Sequence, residues 1–167
     1  MVRQRIRKLA ESFGAAFRGV CRCIRYGRNF RIHIIVAAYT LALALAADFS
    51  AGDYALLFAL IALVMSGEIF NTAIELSCDR DRPQYDELIR VVKDIAAGGV
   101  LVSAAISALC GILLFSRAHS LVTLLCRFAE MPWLAGVFAL GLIPSLLFIT
   151  GKNSSHRERK TKNNGNK

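Results

Sequence analysis

The feature that most constrains this chain is a pair of carboxylates inside an otherwise apolar helix. Glu68 and Glu75 bound the segment Glu-Ile-Phe-Asn-Thr-Ala-Ile-Glu, and the run before it, residues 54–67, is almost wholly apolar. Because a helix advances about 100° per residue, Glu68, Asn71 and Glu75 share one narrow wedge of its surface, which Asp79 extends. A charge at the centre of a membrane helix costs about 2.5–3.5 kcal/mol. Carboxylates stacked at the membrane–cytosol border can hold a divalent cation and accept a proton.

Composition places this helix in a membrane. The chain has 167 residues, 55% of them hydrophobic, and a mean hydropathy of +0.47, which is too apolar for a soluble domain of this size. Each of its apolar stretches is near the roughly 20 residues that cross a bilayer. They cover residues 32–47, 54–78, 95–115 and 132–150. The pattern predicts an all-α membrane protein with four spans.

Charge placement predicts the topology. Residues 1–31 hold nine Arg and Lys with one acid, and residues 151–167 hold six with one acid. By the positive-inside rule both termini are expected in the cytoplasm, which requires an even number of spans. Residues 48–53 would then face outside and residues 79–94 the cytosol. The net charge of +9 is expected to fix orientation and contact anionic lipid heads. Nucleic acid is not an expected partner, because no surface interleaves aromatic and basic residues.

The segments that flank the spans have their own patterns. Residues 3–25 read as an amphipathic helix, apolar and aromatic on one side and arginine-rich on the other, which would lie in the cytoplasmic interface. Gly27 and residues 28–31 then turn the chain into the first span. Residues 116–131 are interpreted as an external interfacial helix. Pro144 is expected to kink the last span, and the tail, residues 152–167, to be disordered.

The polar groups at the cytosolic side resemble the parts needed for phosphoryl transfer. These groups are the stripe of Glu68, Asn71 and Glu75, the Lys93–Asp94 pair, and the basic entry to the first span formed by Arg28 and Arg31. The reaction needs a metal on phosphate oxygens, a cation near the transferred phosphate and a base for the attacking hydroxyl. Neither a P-loop nor a protein-kinase signature occurs in the sequence.

Two other interpretations compete. The acids could form a hydrogen-bond network that joins helices, although such networks usually use Ser, Thr, Asn or Gln. They could instead serve a small proton- or cation-coupled transporter. His33 by itself suggests a helix-packing residue rather than a ligand.

Several ordered motifs then point to a family. They are Ser12-Phe with Phe17-Arg-Gly, Arg28-Asn-Phe-Arg-Ile-His, Glu68-Ile-Phe-Asn-Thr-Ala-Ile-Glu with Asp79, and Lys93-Asp-Ile-Ala-Ala-Gly-Gly-Val-Leu-Val-Ser-Ala. Over about residues 12–115 the chain resembles the prokaryotic integral-membrane diacylglycerol kinase and undecaprenol kinase family. The motif that begins at Arg28 is more similar to the undecaprenol kinase branch. The resemblance implies a basic interfacial helix over residues 1–31 and a three-span kinase core over 32–119. A fourth span with a basic tail, residues 120–167, would be an extension.

The resemblance also implies roles for individual residues. Glu68 would be the catalytic base, supported by Asn71, and Glu75 would bind Mg²⁺ and ATP. Further ATP-binding residues would be Gln84, Tyr85, Asp86, Lys93 and Asp94, with Lys93 on phosphate and Asp94 at the nucleoside end. The lipid-substrate residues would be Phe30, Arg31, Glu68 and Ala97. Family members are homotrimers that share sites between subunits.

Two positions depart from the family pattern. Gly27 stands where the family usually has a glutamate that binds metal, and Asp86 follows Tyr85 where the family usually has histidine. The sequence therefore predicts an ATP- and Mg²⁺-dependent lipid kinase in the bacterial plasma membrane, acting on undecaprenol first and diacylglycerol next. The alternative within the family is a weakened member that binds lipid or nucleotide without turnover.

Overall fold

The computed structural model describes residues 1–47, 49–81, 86–118, 126, 129–130 and 132–150. These residues form five long helices and no β-strand, which confirms the all-α prediction. The helices are α1 (Val2–Tyr26), α2 (Arg28–Ala46), α3 (Ala51–Asp81), α4 (Glu87–Ala118) and α5 (Pro132–Thr150). The tail and most of the predicted external interfacial helix lie outside the described residues.

The first helix is amphipathic, as predicted. Its apolar side chains remain open, with Phe13 69% and Phe17 71% exposed, and its polar side carries an exposed Arg7–Glu11 ion pair. Such an unpacked apolar face fits the interface of a bilayer. The turn into the first span is tighter than expected: only Gly27 leaves the helical conformation, and Arg28 already begins α2. The N–H of Gly27 closes α1 by donating to the Cys23 carbonyl at 2.7 Å.

Three helices are long and apolar enough to cross a membrane: Arg28–Ala46, Ala51–Asp79 and Glu87–Arg117. They match the three predicted spans of the core, residues 32–47, 54–78 and 95–115: the first helix ends one residue earlier, and all three begin before the predicted span. The fourth predicted span coincides with α5, in which Pro144 lies within the helix. Its described apolar segment, Ala139–Thr150, is shorter than a full span, so the fourth crossing stays a prediction.

The second, third and fourth helices pack side by side, with α3 and α4 in the closest association. The Lys93 ammonium on α4 donates to the Asp79 carboxylate on α3, whereas Val100 packs beside Gly67. Between these two contacts the residue number falls from 79 to 67 on α3 while it rises from 93 to 100 on α4. The two helices are therefore antiparallel. A Cβ on Gly67 would lie 3.7 Å from Val100 Cγ2, so the small residue lets the helices approach closely.

The end of the bundle away from the carboxylates is closed by a small core. Ala44, Ala47, Phe49, Leu57 and Leu114 form this buried cluster. The rings of Phe49 and Phe115 lie 4.8 Å apart between centroids, and the Tyr54 hydroxyl donates to the Ala44 carbonyl at 3.1 Å. Ser50 and Asp53 cap the start of α3 reciprocally, because each side chain accepts from the backbone N–H of the other. This packing fixes α2 and α3 where the chain turns between them.

Candidate functional site

Glu68 is the buried acid of the site. The residue is 3% exposed although it lies on an apolar helix with no cation on the neighbouring turns. Across the α2–α3 boundary it meets His33, whose Nε2 lies 3.6 Å from Glu68 Oε1. That separation is in ion-pair range and longer than a hydrogen bond. The structure therefore gives the predicted base a partner that the sequence interpretation treated as a packing residue.

Asn71 and Glu75 continue the stripe from Glu68 toward Asp79, as the helical period predicted. Asn71 is 6% exposed, and its Nδ2 donates to Glu75 Oε1 at 3.2 Å. Its carbonyl oxygen Oδ1 is buried without a hydrogen-bond partner in the described part of the chain. The Glu75 side chain is exposed. One buried amide oxygen and one open carboxylate thus lie on the same face of α3.

Gly27 comes close to this face from the end of α1. A Cβ placed on Gly27 would lie 3.5 Å from Thr72 Oγ1, 3.1 Å from Phe30 Cβ and 2.9 Å from the Cys23 carbonyl oxygen. A side chain at position 27 would therefore start beside Thr72, the residue that follows Asn71. The contact with the Cys23 carbonyl is too short for a real Cβ, so the backbone would have to shift slightly to accept one.

The described members of the predicted ATP-binding set contact different partners. Lys93 donates to Asp79, and Asp94 lies 3.8 Å from Arg90 Nε on the same helix. Asp86 caps α4, because its Oδ1 accepts from the Leu88 N–H at 3.0 Å. Gln84 and Tyr85 lie outside the described residues. The structure thus brings Lys93 to the end of the α3 stripe and gives Asp86 a helix-capping contact.

The predicted lipid-substrate residues are not gathered on one open surface. Phe30 is 1% exposed and Arg31 is 8% exposed, whereas Ala97 is exposed on α4. Arg31 contacts α5: its Nη2 donates to the Ile149 carbonyl at 3.2 Å, and its guanidinium lies 6.0 Å from the centre of the Phe148 ring. Phe30 is therefore a packing residue in this arrangement, and Arg31 joins the core to the extension.

An apolar cavity of about 660 Å³ lies between α2, α3 and α4. Its lining runs along α2 from Ile32 to Leu43, a rise of about 16 Å at 1.5 Å per residue. On α3 it reaches Met65, one turn before Glu68. Its polar lining residues are His33 at one end and Thr40 and Ser107 further along. The cavity can hold a hydrocarbon chain, and the end marked by His33 is also the end nearest the buried carboxylate.

Few of the described side chains at the site could bind a metal ion. Within the described ranges, no group of three or more His, Cys, Asp or Glu side chains is placed to hold a metal ion. On this face, the Glu75 carboxylate is exposed and the Oδ1 of Asn71 has no hydrogen-bond partner in the described residues. Mg²⁺ commonly takes one or two carboxylates together with phosphate oxygens and water, rather than a cage made only of protein.

His33 is the site residue that sequence reasoning missed. The signal was available, because His33 is the one ionisable side chain besides tyrosine in the first predicted span, residues 32–47. An ionisable residue inside a membrane helix suggests function by default, as it did for Glu68. What the sequence could not provide was the packing that brings α2 and α3 together at these two positions.

Comparison with known proteins agrees with the motifs. The sequence model of the prokaryotic diacylglycerol kinase family matches residues 14–115. An undecaprenol kinase from Bacillus subtilis is 34% identical over 113 residues, which are 68% of this chain and 92% of that protein. A diacylglycerol kinase from Synechocystis sp. is 36% identical over 104 residues, 62% of this chain and 59% of that protein. The family match contains the acidic stripe and Lys93 and ends before α5.

Proposed function

The chain belongs to the prokaryotic diacylglycerol kinase family, and from this we propose that it uses ATP and Mg²⁺ to phosphorylate a membrane-embedded lipid alcohol. The family makes it a lipid kinase with membrane-spanning helices. Undecaprenol is the first candidate acceptor, because the relative named undecaprenol kinase is matched over 92% of its length. Diacylglycerol is the second.

The observation that carries this proposal is the position of Glu68 beside the polar end of the apolar cavity. A lipid alcohol has one hydroxyl that must reach a base and a hydrocarbon chain that must stay out of water. Glu68 offers the base, and the cavity that begins at His33 and Met65 offers space for the chain. A hydroxyl held at Glu68 would place the chain along the cavity toward Leu43.

The chemistry assigned to these residues is an in-line displacement. Glu68 accepts the hydroxyl proton as the lipid oxygen forms a bond to the γ-phosphorus of ATP. The bond from that phosphorus to the bridging oxygen breaks, and ADP carries away the electron pair. Lys93 would leave Asp79 to contact the phosphates, which is supported by its place at the end of the stripe.

The stripe also supports Mg²⁺ binding. Glu75 would supply a carboxylate oxygen, and the buried Oδ1 of Asn71 is an acceptor that needs a partner. When bound, Mg²⁺ would neutralise charge on the phosphate oxygens. Asn71 orients the Glu75 carboxylate through its Nδ2, so the two side chains act as one unit.

Assembly and orientation are part of the same proposal. A homotrimer with shared sites, as the resemblance implies, would cover exposed apolar residues beside the acids, among them Phe70 at 69% exposure. Both termini would lie in the cytoplasm of a bacterial cell, with the helices in its plasma membrane. The contact of Arg31 with Ile149 supports the placement of both termini on one side of the membrane, because it sets the end of α5 beside the start of α2.

The direct test is phosphate transfer by the purified full chain in lipid nanodiscs. Radiolabelled ATP would be supplied with undecaprenol, diacylglycerol or ceramide, with Mg²⁺ or with EDTA. We expect a labelled lipid phosphate that requires Mg²⁺ and forms fastest from undecaprenol. Absence of a labelled product from every alcohol would reject the proposal.

Gly27 favours one second candidate, a family member that binds ATP without turning it over. The family's glutamate is absent at a position that faces Thr72, and the described acids form no metal-binding cluster. Isothermal titration with a non-hydrolysable ATP analogue distinguishes the two. Binding of the analogue without phosphate transfer would establish the second candidate.

A further inference from the structure

We propose that His33 is a positioning residue that holds the Glu68 carboxylate in place for proton abstraction; this inference rests on the proposed function. The two side chains approach from different helices, with His33 Nε2 3.6 Å from Glu68 Oε1. Hydrogen bonds at catalytic sites are often long without substrate and shorten when substrate binds. An imidazole that carries its hydrogen on Nε2 can donate to Glu68 after a shift of about half an ångström, given the usual 2.7–3.2 Å for this bond.

Among the described titratable side chains around Glu68, His33 is the one suited to hold its carboxylate. The titratable groups that interact with Glu68 in the described part of the chain are Cys23 on α1, Glu75 on α3 and His33 on α2. Burial raises the pKa of the Cys23 thiol, against the opposite effect of its hydrogen bond with Thr72, so the thiol stays neutral. Glu75 has the same charge as Glu68 and repels it. From α4, the cavity is lined by residues that do not titrate, such as Ala104 and Ser107.

The difference in exposure between the two side chains suits this role. The Glu68 side chain is 4% exposed, whereas that of His33 is 24% exposed and lines the cavity. His33 therefore lies between the buried base and the space proposed for the lipid. From this position it can hold the carboxylate toward an incoming hydroxyl without blocking the cavity. Small errors matter here, because a misplacement of 1 Å costs about 10²-fold in rate.

A purely structural role makes a different prediction. If His33 only fills space between α2 and α3, an apolar side chain of similar size preserves activity, and an amide has no special merit. If His33 positions Glu68 through a donated hydrogen bond, glutamine can replace it, because its amide is a donor that does not titrate. The pair His33→Gln and His33→Leu therefore separates the two roles.

The first measurement is the steady-state kinetics of the full chain in nanodiscs with undecaprenol. We expect His33→Leu to lower kcat by about 10²-fold, with the KM for ATP unchanged. His33→Gln should retain at least a third of the parent kcat over the whole pH profile. The matched control is Tyr39→Phe, which removes a polar contact of α2 with Ser145 on α5. Full activity of His33→Leu, or equal losses in the Leu and Gln variants, would overturn the proposal.

The second measurement needs no kinase activity. Dicyclohexylcarbodiimide modifies protonated carboxyl groups within membranes, and peptide mass spectrometry can follow its reaction with Glu68. Loss of a polar partner favours the neutral carboxyl, so the rate of modification should rise at least threefold in His33→Leu and stay at the parent value in Tyr39→Phe. An unchanged rate in His33→Leu would show that the two side chains are not coupled. If the coupling is present but no lipid is phosphorylated by the parent, the proposed function fails and the pairing stands.

Discussion

Asn71 Nδ2 donates to Glu75 Oε1 at 3.2 Å across one turn of α3. This bond fixes the orientation of the amide, so that its oxygen, Oδ1, is turned away from Glu75 and buried without a partner in the described residues. A buried acceptor without a partner costs about 1–3 kcal/mol. A cation or a substrate hydroxyl that bound to Oδ1 during turnover, as we propose, would offset this cost.

The first prediction concerns metal affinity at Gly27, whose missing side chain would begin beside Thr72. Gly27→Glu should add a carboxylate near the Asn71–Glu75 pair and lower the Mg²⁺ concentration for half-maximal activity. A tenfold decrease would correspond to about 1.4 kcal/mol. The measurement is a Mg²⁺ titration of lipid phosphorylation at saturating ATP.

The control for this substitution is Gly27→Gln, which meets the same close contact with the Cys23 carbonyl but adds no charge. Both variants should lose a little thermal stability because the backbone must shift. Equal Mg²⁺ dependence in Gly27→Glu, Gly27→Gln and the parent would mean that position 27 takes no part in metal binding.

The second prediction tests the base. Glu68→Gln preserves shape and hydrogen-bonding capacity but removes the basic oxygen. General-base catalysis contributes about 10²–10⁴-fold, so kcat should fall by that factor. Thermal stability should stay equal or improve, because a buried charge is removed. Turnover near the parent rate in the purified variant would exclude Glu68 as the base, provided that Glu75→Gln measured in parallel is impaired.

The third prediction concerns Lys93, which donates to Asp79 in this structure. Hydrogen bonds to charged groups are worth about 1.5–3 kcal/mol, or roughly 10- to 150-fold. Lys93→Met should lower kcat/KM for ATP by that factor, while Asp79→Asn, which removes the competing carboxylate charge, should lower the KM for ATP. Arg117→Met, at the opposite end of α4, is the matched control. An unchanged kcat/KM for ATP in Lys93→Met would contradict the assignment.

Comparison of these residues shows what the sequence can reveal. The stripe of Glu68, Asn71 and Glu75 was predictable because the helical period alone decides which side chains share a face. The pairing of Lys93 with Asp79 was not, although each residue had been noted, because the register between α3 and α4 depends on packing along both helices. His33 was missed for the same reason. Sequence separation gives no measure of which turn of α2 meets Glu68.

The C-terminal helix α5 also shows that the sequence predicts a helix but not its packing partner. Apolar length predicted α5 with its observed bounds, Pro132–Thr150. Nothing in the sequence indicated which helix it would pack against, because its apolar residues lie on all sides. The contacts with Arg31 and Tyr39 depend on the small Gly141: a Cβ there would lie 2.8 Å from the Tyr39 hydroxyl oxygen.

The fourth prediction follows from this contact. Gly141→Leu should separate α5 from α2 and destabilise the protein by about 1–3 kcal/mol, the usual cost of overpacking. Gly136→Leu is the control for Gly141→Leu, because nothing lies within 4 Å of a Cβ at that position.

Removal of all residues after Ser120 should also lower thermal stability, and should raise the KM for lipid more than it lowers kcat. A well-folded but inactive truncated protein would mean that the extension contributes directly to the site.

The fifth prediction concerns topology. The contact of Arg31 with Ile149 sets the end of α5 beside the start of α2, so the six basic residues that follow should share the cytosol with α1. In a chain whose five cysteines are replaced by serine, Ser154→Cys should resist a membrane-impermeant maleimide in intact cells and react after lysis. Gly52→Cys, in the first turn of α3 at the end expected outside, should react in intact cells. Labelling of Ser154→Cys from outside would place α5 in the opposite orientation. That result would be incompatible with the hydrogen bond between Arg31 and Ile149, since one membrane face cannot hold the start of α2 while the other holds the end of α5.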